Sequence, residues 1–395
     1  MLIFCGLQCQ LSAAELLRRG CSTVNPTIAS KRGTQRVHNF NPGPATLPLP
    51  VLERIREELL NHNGSGMSVM EMSHRSPEFE AINEKTERDL RRVLEIPDDY
   101  AVAFMQGGGS AQFAIVPMNL YQLGKPVDVL HTGSWTAKAI EELKIAATYR
   151  LAASTEADKF TRVPQADEIT FAADASYVHI CTNNTIEGTQ WSSIPDTGSV
   201  PLVADMSSDI ASQRMEVRKF GLIFAGAQKN LGPSGVTIVI VRRDLAERAN
   251  QKIPKIFQYR THIKEKSLYH TPPTFAVYIA GLVLEWIESE GGVAGIEKRN
   301  DAKAKLLYDA LDASGYYKCP IEPASRSKMN VVFRVAGGDE TIEKKFVQEA
   351  EAAGLSGVKG HRSVGGMRIS LYNAVTLEAV EALVGFMRDF ERKTG

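Results

Sequence analysis

Lys229 lies in the run LIFAGAQKNLGPSG (222–235), where it follows an apolar stretch and is flanked by small residues. A lysine in such a place is either a solvated turn residue, the usual fate of this side chain, or a buried amine. A buried amine sheds its proton more readily, as a lysine must to form an imine with a carbonyl compound. Asp205 comes just after another apolar run, 202–204. It can supply a partner carboxylate, although by local sequence alone a helix cap at a strand–helix turn is the plainer reading. Trp135, in Gly133-Ser134-Trp135, offers either a flat face for stacking on a planar ring or a core side chain.

Gly107-Gly108-Gly109 follows an apolar run and opens a helical pattern. Backbone N–H groups at a helix start can meet an anion, and a Cβ there would hold a phosphate away. A tight turn accounts for the glycines equally well. The run is not a dinucleotide fingerprint, because the last position of G-x-G-x-x-G is Gln112, and no Gly-Lys-Ser/Thr follows to make a P-loop. Arg75, Arg362 and Arg368 each stand in a loop with Gly or His nearby, beside His74 and His361. Arginine presents a planar fork to carboxylates and phosphates, and histidine adds a donor whose charge follows its surroundings. Any one of these arginines is ordinarily a surface ion-pair partner; together they suit a multiply anionic substrate.

These residues must be positioned by regular elements. Residues 39–50 are rich in Pro and Gly and read as extended, and 51–60 carry Val51, Leu52, Ile55, Leu59 and Leu60 at helical spacing. Ser76 as N-cap, Pro77 behind it and the acids Glu78 and Glu80 open a helix running to about Leu94. Strand patterns at 101–105, 127–130, 177–181, 202–204, 222–225 and 236–241 then alternate with helical ones. The alternation predicts an α/β fold whose large domain has a mostly parallel sheet covered by helices on both faces. Beyond Gly291-Gly292 a long charged helix (296–311), strands at 331–335 and 368–371, and helices at 341–353 and 376–390 predict a smaller α+β domain. The expected division is an N-terminal extension at 1–36, a segment at 37–50 that packs with the small domain, a large domain at 51–292 and a small one at 293–395.

Lys plus Arg and Asp plus Glu both number 46, so no charge excess points to nucleic acid or a membrane surface. The best membrane candidate, 275–284, is too short and ends at Glu285; it reads as a buried helix. Cys5, Cys9, Cys21, Cys181 and Cys319 form no Cys-x-x-Cys and no framework, which suits a reducing compartment, and no metal site is expected. Residues 1–36 hold five Lys or Arg against Glu15 alone, with several Ser and Thr. That is the composition of an organelle transit peptide, and equally of a plain extension. A cytoplasmic location is expected, or a mitochondrion or other organelle if 1–36 is a transit peptide.

Several stretches together resemble the phosphoserine aminotransferase family. They are the segment around Lys229, Met72-Ser73-His74-Arg75, the Gly-Gly-Gly-x-x-Gln-Phe run, Gly133-Ser134-Trp135, Thr271-Pro272-Pro273, and Gly360-His361-Arg362 through Gly365-Gly366-Met367-Arg368. The likeness runs from about His38 to the C-terminus in the family's order and spacing. It implies a fold-type-I enzyme of the class-V aminotransferases, dependent on pyridoxal phosphate and working as a homodimer. On that resemblance Lys229 carries the cofactor, Asp205 pairs with its ring nitrogen and keeps the electron sink protonated, Trp135 stacks on the ring and Thr185 lies near its substituents. Gly109, Ser110 and Gln228 would contact the cofactor phosphate, completed by His270 and Thr271 of a second subunit. Arg75 and Arg368 would bind the substrate carboxylate, and His74, His361 and Arg362 its phosphate. Position 270 is His where the family is expected to have Asn, and Ser110 falls where the family varies. The implied reaction is transamination between glutamate and 3-phosphohydroxypyruvate in serine biosynthesis. A serine–pyruvate or alanine–glyoxylate type aminotransferase is the rival of the same fold. A cysteine desulfurase is disfavoured because no Cys lies in a Gly-rich loop near Lys229, and a catalytically silent binding dimer because Lys229, Asp205 and Trp135 are all present.

Overall fold

Unbroken apolar, β-branched runs such as residues 236–241 form strands whose two faces are both buried, and these strands set the architecture. The computed structural model describes residues 36–395. The segment read as an extension or transit peptide therefore lies outside the described residues, Arg36 apart. Seven strands make the main sheet: β1 Tyr100–Met105, β2 Val127–His131, β3 Tyr149–Ser154, β4 Tyr177–Cys181, β5 Leu202–Asp205, β6 Leu222–Gly226 and β7 Thr237–Arg242. Their order is β1-β7-β6-β5-β4-β2-β3. β7 runs antiparallel to both its neighbours, and all the other pairs are parallel, so the expected mostly parallel sheet is what forms.

The pleat sends alternate residues to opposite faces. Val178, Ile180, Ala204, Ile223, Ala225 and Ile238 face one apolar layer. Tyr177, Val203, Leu222, Phe224, Val239 and Val241 face the other. The first layer is roofed by helices α2 (Pro77–Val93), which follows α1 (Leu49–Glu58), and α5 (Thr274–Ser289); the second by α3 (Gly108–Leu120) and α4 (Ser134–Ala146). The apolar segment at 275–284 is the buried middle of α5, packed on α2. A Cβ on Gly281 would lie 2.7 Å from Thr86 Oγ1, so glycine is what lets these two helices approach. Among the described residues no helix is long and apolar enough to cross a membrane.

β3 has no counterpart in the predicted strands. It is the sheet's outer edge, paired with β2 alone, and its sequence YRLAAS is half exposed and carries Arg150. An edge strand buries too little to need an apolar run. Its hold comes partly from Arg150, whose guanidinium grips the fully buried Asp128 with Nε at 2.5 Å and Nη2 at 2.9 Å.

After α6 (Gly292–Asp312) come α7 (Glu340–Ala352), α8 (Leu377–Thr394) and a three-stranded sheet of β8 (Tyr317–Lys318), β9 (Asn330–Val335) and β10 (Met367–Ser370). Their own apolar cluster is built on the rings of Tyr317, Phe333, Phe346 and Phe390 and takes in Phe40 from the N-terminal segment. His38–Asn39 adds a parallel pairing to Leu355–Ser356. Residues His38–Gly395 form one continuous unit.

Candidate active site

The parallel strands end on the same side of the sheet, and there the chemistry-bearing loops converge. β1 leads into Gly107-Gly108-Gly109, β2 into Gly133-Ser134-Trp135, and β4 into a short hairpin of Asn183–Asn184 and Thr189–Gln190; β5 ends on Asp205, and β6 leads into Gln228 and Lys229. One pocket is lined by Gly108, Gly109, Ser110, Trp135, Asp205, Gln228 and Lys229, with Phe113, Cys181, Asn183, Ser207 and Ser208.

Lys229 is 9% exposed. Its Nζ donates to Thr185 Oγ1 at 2.7 Å and stands 5.4 Å from the centroid of the Trp135 ring. Of the two positions open to it in the sequence, the structure places it inside. Gly43, at φ +129°, lies against its stem: a Cβ there would be 3.2 Å from Lys229 Cγ. Asp205 is 5% exposed and is no helix cap; its Oδ1 accepts the Ser207 N–H at 2.9 Å. Burial pushes the Asp205 carboxyl up, only partly offset by the Ser207 hydroxyl and N–H and by Lys229. Gly107 and Gly108 have φ of +90° and +65° and turn the chain into the start of α3. A Cβ on Gly109 would lie 3.2 Å from Ser207 Oγ and 4.0 Å from Asp205 Oδ2, so the helix start passes close over the carboxylate.

Thr185 links Lys229 to a second buried basic side chain, Arg368. Its carbonyl accepts Arg368 Nη1 at 3.4 Å. Arg368, on β10, is 6% exposed, its Nε is buried with no hydrogen-bond partner among the described residues, and burial lowers its proton affinity. His361 donates to or accepts from Ser363 Oγ at 2.7 Å; burial, then Arg368 and Arg362, hold it below the usual imidazole range. Arg362 is exposed. The remaining predicted residues are elsewhere: His74, Arg75, His270 and Thr271 do not line the Lys229 pocket. Arg75 is exposed, His74 Nε2 and His270 Nδ1 are buried with no hydrogen-bond partner among the described residues, and the Thr271 carbonyl receives Gln106 Nε2 at 3.4 Å. Among the described residues no cluster of three or more His, Cys, Asp or Glu is placed to hold a metal.

Sequence reasoning passed over Cys181, Asn183, Ser207, Ser208, Glu187 and Asp209. The polar run Ser207-Ser208-Asp209, one residue beyond Asp205, is a usable signal; nothing local marks the others. Asp209 is a second buried carboxylate behind Asp205. Its Oδ1 accepts Thr182 Oγ1 at 2.6 Å and its Oδ2 accepts Gln190 Nε2 at 3.3 Å. Burial foremost, with Asp205 adding to it against Thr182, Gln190 and Lys229, pushes its carboxyl up to about 7.

The folded chain then keeps a proton on Asp209 that the unfolded chain has released above about pH 4. Asp209's contribution to the stability of the cofactor-free protein is expected to be fully present below that pH, to fall through the interval up to about 7, and to level off above it. Asp209→Asn should flatten the fall, a difference on the order of a few kcal/mol at pH 8. Urea unfolding midpoints at intervals from pH 4 to 8 check this; parallel curves for the two proteins would refute it.

The chain matches the class-V aminotransferase family over residues 37–383. It is 54% identical over 361 residues to a phosphoserine aminotransferase of Lysinibacillus sphaericus, covering 91% of this chain and 99% of that one. The solved phosphoserine aminotransferase from Bacillus circulans subsp. alkalophilus superposes with a TM-score of 0.89 at 48% identity, covering 91% of this chain and 99% of that one. A pyridoxal-phosphate-bound phosphoserine aminotransferase from Trichomonas vaginalis does so with a TM-score of 0.86 at 39% identity, covering 89% and 100%. An alanine–glyoxylate aminotransferase from Nostoc, a member of the rival class, covers 94% of this chain and all of its own at 16% identity and a TM-score of 0.67, a likeness of fold alone. With its buried lysine, aspartate and flanking tryptophan at the strand ends, the chain belongs to the class-V aminotransferases and, among them, to the phosphoserine aminotransferases.

Proposed function

We propose that the protein is a phosphoserine transaminase that uses pyridoxal 5'-phosphate to interconvert 3-phosphohydroxypyruvate plus L-glutamate with O-phospho-L-serine plus 2-oxoglutarate in L-serine biosynthesis. The observation that carries this is the meeting of a buried amine and a buried guanidinium on Thr185: Lys229 Nζ donates to its hydroxyl, and Arg368 donates to its carbonyl.

The residues fit the cofactor. A buried amine bonded to a neutral hydroxyl suits imine formation, a buried carboxylate suits a protonated ring nitrogen, and a half-buried tryptophan ring beside both suits a flat heterocycle. The helix start at Gly109 and Ser110, with Gln228, suits a phosphate. Pyridoxal phosphate, when bound, supplies the electron sink that accepts the charge left when an amino acid loses its α-proton. In this assignment Lys229 Nζ holds the cofactor and then, once displaced, takes the substrate's α-proton and returns it as base and acid. Asp205 holds the proton on the ring nitrogen, Trp135 fixes the plane of the ring, and Thr185 keeps Lys229 aimed. Arg368 and Arg75 take the substrate carboxylate; His361, Arg362 and His74 take its phosphate or the glutamate side chain.

His74, Arg75, His270 and Thr271 lie outside the Lys229 pocket of their own chain, so the proposed working form is a homodimer in which a second copy delivers them. The proposed division of the chain places the cofactor residues in 51–292 and Arg368 in 293–395, with 37–50 bridging. The proposed compartment is the cytoplasm, or an organelle if residues 1–36 are removed there; cell fractionation distinguishes the two.

The first measurement is a visible absorption spectrum with O-phospho-L-serine and with L-serine. Conversion of the bound chromophore by the phosphorylated amino acid alone is expected, and conversion by serine alone would transfer the assignment to the serine–pyruvate type. Lys229→Ala should retain the fold and lose about a thousandfold or more in kcat. Arg368→Ala should raise KM for both amino donors roughly ten- to a hundredfold, the worth of a charge-assisted pair. Light scattering should give twice the 43.3 kDa of one chain, and a monomer that is fully active would exclude the shared site.

A further inference from the structure

Glu187 lies in the turn between Asn183–Asn184 and Thr189–Gln190, two residues after Thr185. It is 7% exposed. Its Oε1 accepts both the Ser134 N–H at 2.8 Å and the Ser134 hydroxyl at 2.6 Å, which ties it to the first residue of α4. Its Oε2 is buried and has no hydrogen-bond partner among the described residues. Room for that oxygen exists only because residue 133 is glycine: a Cβ there would come within 2.6 Å of it.

A half-satisfied carboxylate is costly to bury unless a cation compensates it. The compensation is available. Arg368 Nη1 donates to the carbonyl of Thr185, two residues before Glu187, which brings the guanidinium into the neighbourhood of this carboxylate; the Glu187 charge acts on Arg368 after that of Tyr372, and on His361 beside the charges of Arg368, Arg362 and Lys138. It is thus a buried acid among several cations, near a guanidinium whose Nε has no hydrogen-bond partner among the described residues.

We infer that Glu187 is the internal counter-ion of the substrate-anion site, a specificity-setting residue that competes with the substrate's carboxylate and phosphate for Arg368 and His361. While the site is free, the carboxylate offsets the buried guanidinium. When an anionic substrate arrives it meets a weaker net positive field than the cations alone would give, so binding is looser and release of the anionic product easier. Hydrogen bonding to Ser134 keeps the carboxylate from moving away, and the same bond steadies the helix start that carries Trp135.

The inference rests on Arg368 and His361 receiving the substrate's anions. The test uses the enzyme with its cofactor bound. Glu187→Gln keeps an acceptor for Ser134 and removes the charge. KM for O-phospho-L-serine should fall about three- to tenfold at low ionic strength, the worth of one charge in a partly dry site, and the difference should shrink as salt screens it. Inorganic phosphate should raise the unfolding temperature of Glu187→Gln more than that of the parent, because a stranded cation gains more from an anion. An unchanged or raised KM overturns the inference, as does an equal phosphate effect. Ser134→Ala removes the hydroxyl half of the helix tie, keeps the backbone half and leaves the charge; if it lowers KM as Glu187→Gln does, charge is not the cause. Should Glu187→Gln fold too poorly to assay, adding Arg368→Gln should restore stability by removing the stranded cation, and a double variant no more stable than the single one overturns the pairing. The underlying assignment fails separately, through an unchanged KM in Arg368→Ala.

Discussion

Burying ionisable groups is the constraint on which this structure turns. Lys229, Asp205, Asp209, Glu187 and Arg368 all lie below one-tenth exposure in adjoining regions, where an isolated charge would cost several kcal/mol. Among the described residues none of them sits in a tight ion pair. Each is instead bonded to neutral groups: Lys229 to the Thr185 hydroxyl, Asp205 to the Ser207 N–H, Asp209 to Thr182 and Gln190, Glu187 to Ser134, Arg368 to the Thr185 carbonyl. Direct Lys–Asp pairing would quench the amine and the carboxylate that the chemistry uses. Neutral partners hold them in place without spending their charge.

That arrangement demands a rigid frame, because neutral hydrogen bonds are individually weak. The frame is the main sheet. Its strands are apolar on both faces, so they cannot slide without exposing a buried layer, and the reversed β7 lets β1 and β6 lie on either side of one strand. The glycines of the strand-end loops then allow the close approaches: Gly109 over Asp205 and Ser207, Gly133 over Glu187, Gly43 along the Lys229 stem. The C-terminal sheet, with its own apolar cluster, carries Arg368 on β10 up to the Thr185 turn.

Much of this was legible along the chain. Strongly apolar strands and the cap at Ser76 announce themselves by composition, since burial on both faces leaves few polar positions and a side-chain cap needs a hydroxyl or short acid. β3 escaped notice because an edge strand need not be apolar. The short Asn183–Gln190 hairpin escaped because it is held by side-chain hydrogen bonds to residues far along the chain, such as Asn183 to Asn330 at 2.8 Å. Local pattern carries no trace of such a partner.

The same division runs through the site. The sequence by itself determined that Lys229, Asp205, Trp135 and Gly107-Gly108-Gly109 stand at the ends of strands, because hydrophobic periodicity and glycine placement are properties of neighbours along the chain. Which of those side chains are buried, and against what, was decided only by the tertiary structure. By its neighbours in sequence Lys229 is open to a solvated or a buried reading until Gly43, Thr185 and Trp135 close around it, and Glu187 has no local signature at all. Electrostatic environment depends on groups brought together from distant parts of the chain, and only folding sets those distances.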